Sequence, residues 1–301
     1  MVLIDHVDNL ISNINSVNIP SKMDLILDGG LFNGLYQLGG LLYLKQLENK
    51  NKISVKRISG TSIGSFMGLM YILNKLDTIV EISDELVQGV RKTLNLTKFK
   101  NILNVILLEH MNENDYKLAN HRLYISYFNN KTKKQIIKNK YKSNSDLIEQ
   151  IIKSTHIPFL TDGNIEHNNS VDGVTPYIFK KCNRKILFLK LTSHSQLNTM
   201  VNIKHEINVY GRILEGIIDI HKFFTTSKKT VMCSYIDDWT IFDFGYLRLR
   251  EISWIIILVM LDILLFINNK IPNVISESIH FIRTKRVFIN FYKDVFSHVF
   301  T

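Results

Sequence analysis

Cysteine is nearly absent from this chain: Cys182 and Cys233 are the only two in 301 residues. Two thiols cannot build a disulfide framework and here carry no metal-ligand spacing. The expectation is therefore a reducing, intracellular setting, two core thiols and no metal. A basic, apolar leader is also missing. The opening MVLIDHVDNLISNINSVNIPSK has aspartates where a signal peptide carries lysine, and no unbroken apolar run, which argues against secretion or an N-terminal anchor. There is no internal repeat and no proline- or serine-rich linker to mark a domain boundary. Zinc-finger spacing, an RNA-binding aromatic signature and a basic zipper are lacking too, which argues against a dedicated nucleic-acid reader and against nucleic acid as a partner. Gly-x-Gly-x-x-Gly and Gly-Lys-Ser/Thr do not occur at the glycine turns, so no nucleotide cofactor is expected.

What is present points to a folded enzyme-sized domain. Apolar residues make up 46% of the chain, enough to bury a core in one large domain or in one domain with an appended helical region. Basic residues outnumber acidic ones, 37 to 27, giving a net charge of +10 that favours polyanions, including an anionic membrane surface. The densest basic run, KTKKQIIKNKYK at 131–142, reads as a strand or hairpin arm following HRLYISYFNN. A solvated lysine face is the bland alternative.

The order of elements is that of an α/β fold. In the N-terminal stretch Leu3, Val7, Leu10, Ile14 and Val17 recur at helical spacing, so a short amphipathic helix packed on the domain is expected. MDLILD at 23–28 is an apolar run ending in glycines, which suits a buried parallel strand. A helix follows, with Leu35, Leu38, Leu41, Leu42 and Leu47 on one face. ISVKRIS at 53–59 reads as the next strand and SFMGLMYILNKL as the next helix. Strand, helix, strand, helix predicts a largely parallel sheet. From about 80 to 153 the pattern is mostly helical apart from the Tyr124–Phe128 region, and this stretch is a candidate cap. RKILFLKL at 184–191 reads as a further strand and EINVYGRILEGIIDIHKFF at 206–224 as a long helix.

Between the second strand and its helix lies ISGTSIGS, in which Gly60, Ser62 and Gly64 complete the pattern Gly-x-Ser-x-Gly. A serine in such a sharp turn projects its hydroxyl outward, and the glycines make room for the strained backbone. The free N–H groups of the following helix favour negative charge nearby. A turn serine that merely caps its helix is the plain alternative. Upstream, DGGLFNG places Gly29, Gly30 and Leu31 on the neighbouring strand's turn, where their N–H groups are candidate oxyanion donors. For the base, His156, His194, His205 and His221 all follow Ser62 without distinguishing context, and a carboxylate within STHIPFLTDGNIEHNNSVDGVTPYIF at 154–179 is the better candidate.

Taken together, DGGLFNG, GTSIGS and STHIPF…SVDGVTP resemble, in order and spacing, the motifs of the patatin-like phospholipases. The resemblance covers residues 23–190 and implies a three-layer fold with a central, largely parallel sheet flanked by helices. Around that catalytic core it leaves an N-terminal helix at 1–22 and a helical C-terminal region at 191–301 that completes or extends the same domain. It implies a metal-free lipid acyl hydrolase in which Ser62 is the nucleophile and Asp172 the base, with Gly34, Gly60, Gly64 and Gly173 as motif glycines. Two Asp-Gly pairs compete for the base. In the family a Ser-x-x-x-Pro segment leads through a hairpin to the catalytic aspartate, so Ser154 and Pro158 put Asp162 in the hairpin turn and Asp172 at its end. Two departures stand out: Leu31 and Asn33 replace a glycine and a cation of the family's oxyanion turn, and Val174 replaces a small residue, the milder change. The implied partners are a lipid substrate and an anionic membrane surface, which places the protein in the cytoplasm or peripherally on a membrane. Rival classes are a Ser-His-Asp α/β-hydrolase and a non-catalytic membrane-binding module of the same fold.

ISWIIILVMLDILLFI at 252–267 needs separate weighing. As a helix it rises roughly 24 Å, short of a hydrocarbon core of about 30 Å, and Asp262 interrupts it. A buried core helix is the preferred reading, ahead of an interfacial or oligomer-contact helix and of a membrane span.

Overall fold

The computed structural model describes residues 2–12, 19–30, 33–82, 97–191 and 209–270, with isolated positions between 283 and 290. Its sheet is built around β1 (Met23–Leu27), buried along its whole length as expected of a strand covered on both faces. β2 (Val55–Thr61) pairs with it in parallel on one side and β6 (Lys185–Leu189) on the other. β3 (Leu123–Asn129) adds in parallel beyond β2, and β4 (Lys134–Lys138) turns back along that edge. The lysine-rich arm is thus the edge strand of a hairpin. β5 (Ser170–Asp172) pairs antiparallel with β3, and β7 (Cys233–Tyr235) antiparallel with β6. The order is β4-β3-β2-β1-β6-β7 with β5 on β3, a mixed α/β sheet of mostly parallel strands flanked by helices. Asp24 interrupts the apolar pattern of β1 and is fully buried, where Nε of Arg57 and Nε of Arg184 each donate to its carboxylate at 3.1 Å. Burial of that charge is tolerated because it is paired and hydrogen-bonded.

The helices that frame the sheet include α1 (Val2–Ser12), α2 (Gly34–Asn49), α3 (Ile63–Ile72), α4 (Thr97–His110), α5 (Asp115–Ala119), α6 (Asn144–Ser154), α7 (Val209–Thr226) and α8 (Ile241–Lys270). α1 packs on α2 and α7 through buried Val7 and Ile11; Ile14 and Val17 lie outside the described residues. The leucine face of α2 understates its burial, because Tyr36, Gln37, Tyr43 and Leu44 are buried as well. α2 is enclosed because α7 lies against it backbone to backbone. A Cβ on Gly39 would stand 1.9 Å from the Ile213 carbonyl oxygen, and one on Gly216 the same distance from that of Tyr36. Side chains there would force the helices apart.

α8 corrects the expectation of a buried core helix at 252–267. Trp254, Leu258 and Leu261 are buried with Phe128, Ile157, Val171 and Val174, whereas Leu249, Ile252, Ile256, Ile263 and Phe266 are exposed. The helix lies on the outside of the domain, so only the stripe at helical spacing meets the core and the remaining apolar side chains face outward. Asp262 pairs with Lys133 of the hairpin at 2.6 Å. Among the described residues no helix is long and apolar enough to cross a membrane.

Candidate active site

The register of β3 assembles the site. β2 pairs with the first half of β3, ending where Thr61 lies opposite Ser126. β5 then takes over with Asp172 opposite Tyr127. Two strands thus meet end to end along β3, which brings Asp172 to the residue that follows Thr61, namely Ser62. The approach is close. A Cβ on Gly173 would lie 2.4 Å from both the Ser126 carbonyl oxygen and Thr61 Oγ1, so only glycine lets the β5 end reach the elbow.

Ser62 sits at the turn from β2 into α3 with φ 51° and ψ −131°. That positive φ is uncommon for a side-chain-bearing residue and costs about 1–3 kcal/mol, stored where the surrounding structure holds it in place. Here the Ser62 N–H donates to Ser154 Oγ at 2.9 Å, Ser154 Oγ donates to the Ser126 carbonyl at 2.8 Å, and Ser65 Oγ donates to the Ser62 carbonyl at 2.7 Å. Ser154, which in sequence serves only as a landmark before Pro158, is thus a support of the elbow. A Cβ on Gly64 would come 2.6 Å from the Leu27 carbonyl oxygen, and one on Gly60 2.4 Å from that of Gly64, which explains both elbow glycines by space. Ser62 itself is buried, at 7% exposure, and stands at the N-terminus of α3.

Asp172 is buried at the end of β5. Its Oδ1 accepts the Val174 N–H at 2.8 Å, while Oδ2 has no hydrogen-bond partner among the described residues. Burial pushes the carboxyl up to about 6, opposed by the Ser62 side chain, the Val174 N–H and the Arg250 guanidinium, with Asp28 adding to the rise. Ser62 therefore stands near enough to favour the carboxylate without closing a hydrogen bond on it. A carboxyl of that pKa can take a proton near neutral pH and give it back.

The upstream turn completes the cradle. A Cβ on Gly29 would be 3.2 Å from Ser62 Cβ, and one on Gly34 2.8 Å from Ile63 Cγ1, so the turn lies directly on the elbow. Gly30 faces Leu191, where a Cβ would stand 2.6 Å from that residue's own. Leu31 lies outside the described residues. Asn33 is buried and donates from Nδ2 to the Leu191 carbonyl at 3.0 Å, while its Oδ1 accepts a hydrogen bond from Arg212 of α7. A guanidinium thus reaches the very position of the turn where the sequence lacks a cation. No local pattern could reveal a partner so distant in the chain.

The other candidates are engaged elsewhere. Contrary to the expectation, Asp162 is not in the hairpin turn before β5, which is made by Asn168 and Asn169 between the paired His167 and Ser170; it sits in a separate, earlier turn, its Oδ1 accepting the Asn164 N–H at 3.0 Å. His156 Nδ1 lies 4.0 Å from Asp162 Oδ2, and His221 shares a 2.9 Å hydrogen bond with the Tyr43 hydroxyl. His194 and His205 lie outside the described residues. No group of histidine, cysteine or carboxylate side chains among the described residues is arranged to hold a metal.

Val174 is the larger surprise. The sequence suggests a mild replacement of a small residue, yet Val174 has φ 54°, a left-handed conformation that a β-branched residue strongly disfavours. The Thr175 N–H bonds back to the Gly173 carbonyl, so Val174 is the centre of a tight three-residue turn of the rare positive-φ kind. Two side chains of α8 hold this region. Trp254 Nε1 donates to the Asp172 carbonyl at 3.0 Å, and Arg250 donates to both carboxylate oxygens of Asp28, at 2.9 and 3.1 Å, and to the Val174 carbonyl.

A family model described as patatin-like phospholipase matches residues 25–175, the span that carries Ser62, Asp172 and both turns. No curated protein matches the chain.

Proposed function

The chain belongs to the patatin-like phospholipase family, and from that premise we propose that it hydrolyses fatty acyl esters of phospholipids or related lipids through an acyl enzyme on Ser62, with Asp172 as its only base. The observation that carries this reading is the end-to-end meeting of β2 and β5 on β3, which sets a strained serine against a buried carboxylate whose Oδ2 is open.

In the first half-reaction the Ser62 hydroxyl proton passes to Asp172 as Oγ attacks the ester carbonyl carbon. The oxyanion that forms draws on the N-terminus of α3 and on the N–H groups of Gly29 and Gly30. Collapse breaks the ester bond, and the departing lysolipid alkoxide takes the proton from Asp172. A water then gives its proton to Asp172 and attacks the acyl carbon, Ser62 Oγ leaves with that proton, and the free fatty acid departs. A carboxylate has no tautomer to be fixed, so a two-residue site suffices where histidine would need a third.

The net charge of +10 and the exposed apolar side chains of α8 support contact with an anionic lipid surface, where the substrate is met. Binding of this kind should weaken as salt rises. The deciding experiment is mass-spectrometric product analysis of mixed lipid vesicles, with fluorophosphonate labelling in parallel. Lysolipid and fatty acid with wild type, and none with Ser62→Ala, are the expected result. Absence of both products and labelling in wild type would overturn the reading in favour of a non-catalytic module of this fold.

A further inference from the structure

The match to the family model stops at residue 175, yet the helix that touches the candidate base lies well beyond it. Arg250 and Trp254 are one helical turn apart on the buried stripe of α8, so both point into the same end of the domain. Their partners are the two chain segments that meet at Ser62. Arg250 forks onto Asp28, the residue before Gly29 and Gly30, and also bonds the Val174 carbonyl. Trp254 bonds the Asp172 carbonyl. We infer that Arg250 and Trp254 are positioning residues for the Asp172 carboxylate, clamping the chain on both sides of Gly173 so that Oδ2 faces Ser62.

The physical chain has four links. Val174 holds a backbone conformation that it would leave if unrestrained. Arg250, itself buried, fixes that residue's carbonyl while Asp28 fixes the guanidinium. A carbonyl held in this way fixes the peptide turn whose N–H, on Val174, donates to Asp172 Oδ1. Occupation of Oδ1 leaves Oδ2 as the oxygen open to the nucleophile. Trp254 secures the same strand from the other side, because its indole sits wholly inside the cluster of Phe128, Val171 and Val174 and spends its single N–H on Asp172. The groups facing the carboxylate are thus the Ser62 hydroxyl, the Val174 N–H, the cation of Arg250 and the anion of Asp28, and they also set where it titrates. Neither α8 residue touches the reacting atoms in this arrangement; they act through Asp172.

This inference rests on the reading of Asp172 as base, and the test separates the two. The rate of Ser62 labelling by a fluorophosphonate is followed from pH 5 to 9 in the full chain, with thermal unfolding recorded for each variant. Wild type is expected to label with an acidic limb near the Asp172 pKa. Trp254→Phe keeps the ring and loses the N–H, and Arg250→Lys keeps the charge and loses the fork. Each should lower the plateau rate about tenfold, the loss of one well-placed hydrogen bond, with the limb nearly unmoved. Arg250→Gln should in addition move the limb to higher pH, since it removes a cation and exposes the carboxylate to Asp28. If Arg250→Gln does not fold, the lysine and phenylalanine variants still decide. Lowered melting temperatures with wild-type rates and limbs in the folded protein would mean a purely structural clamp and would overturn the inference alone. Wild type that does not label at any pH would instead overturn the hydrolase reading itself.

Discussion

Two Asp-Gly pairs lie in the stretch of chain between α6 and β5 and at its end, and the same dipeptide does opposite work in them. At Asp162-Gly163 the glycine is used for its backbone: φ is +81° and a Cβ there would meet nothing within 4 Å. Asp162 accepts the Asn164 N–H, and the Phe159 N–H bonds the Asn164 carbonyl at 2.8 Å to close the turn. At Asp172-Gly173 the glycine is used for its missing side chain, because the Ser126 carbonyl and Thr61 Oγ1 occupy the space a Cβ would need. One aspartate serves a turn near the surface. The other is buried against a serine. What separates them is not their own chemistry but the register of β5 on β3, which delivers only the second pair to the elbow.

The largest expected effect is at the buried carboxylate. Asp172→Asn should reduce fluorophosphonate labelling and ester hydrolysis by about a thousandfold or more, as loss of a general base typically does. It should also stabilise the fold. Because burial raises the carboxyl from 3.8 to about 6, the folded state binds more protons than the unfolded state within that window. Stability therefore falls as pH rises through it, by roughly 3 kcal/mol, and stays lower above pH 6. Thermal unfolding at pH 5 and pH 8 checks this: the wild type should lose stability over that interval and the asparagine variant should not. Loss of activity together with loss of stability at pH 8 would mean that the carboxylate is a structural group.

Next in size is the contrast between the glycines. Gly173→Ala forces a methyl onto the Ser126 carbonyl of β3 and the Thr61 hydroxyl of β2 and should destabilise by about 3 kcal/mol or more, since a rigid carbonyl cannot yield as side chains do. Gly163→Ala meets no atom and should cost about 1 kcal/mol for the left-handed conformation alone. Urea midpoints of the two variants measure the difference directly. Equal destabilisation would break the distinction between a glycine kept for space and one kept for its dihedral.

How much of this was legible in the sequence follows from the distance over which each feature is encoded. β1 and β2 could be read because an apolar run followed by a glycine turn is a local pattern, and Ser62 because an elbow needs its glycines within two residues on either side. Choosing Asp172 over Asp162 needed the landmarks Ser154 and Pro158 as well as the resemblance that gave them meaning. Nothing local announces Arg250 or Arg212, whose partners Asp28 and Asn33 are 222 and 179 residues away. Val174 misled for a related reason: a β-branched residue is at home in extended backbone, and only the clamp from α8 shows why it is found elsewhere. The apolar run at 252–267 was legible as a helix but not as a one-sided one, because its outward residues are as hydrophobic as its inward ones.

The smallest expected effect is at Asp162, and it is the sharpest check on the comparison. Asp162→Asn keeps an oxygen that can accept the Asn164 N–H, so the turn survives. What it removes is a partly exposed negative charge 4.0 Å from the buried ring of His156. His156 in turn accepts the Asp172 N–H on its carbonyl at 2.7 Å, so the residue beside the Asp162 turn and the base are joined through a backbone hydrogen bond. That link is between peptide groups and does not pass through the Asp162 charge. Hydrolysis and labelling should therefore stay within about twofold of wild type across the pH range, as surface substitutions away from buried networks usually do. A shift of the acidic limb in Asp162→Asn would show that charge at the turn reaches the carboxylate through the imidazole. An inactive Asp162→Asn beside an active Asp172→Asn would reverse the assignment of the two pairs, and with it the meaning given to the strand register that separates them.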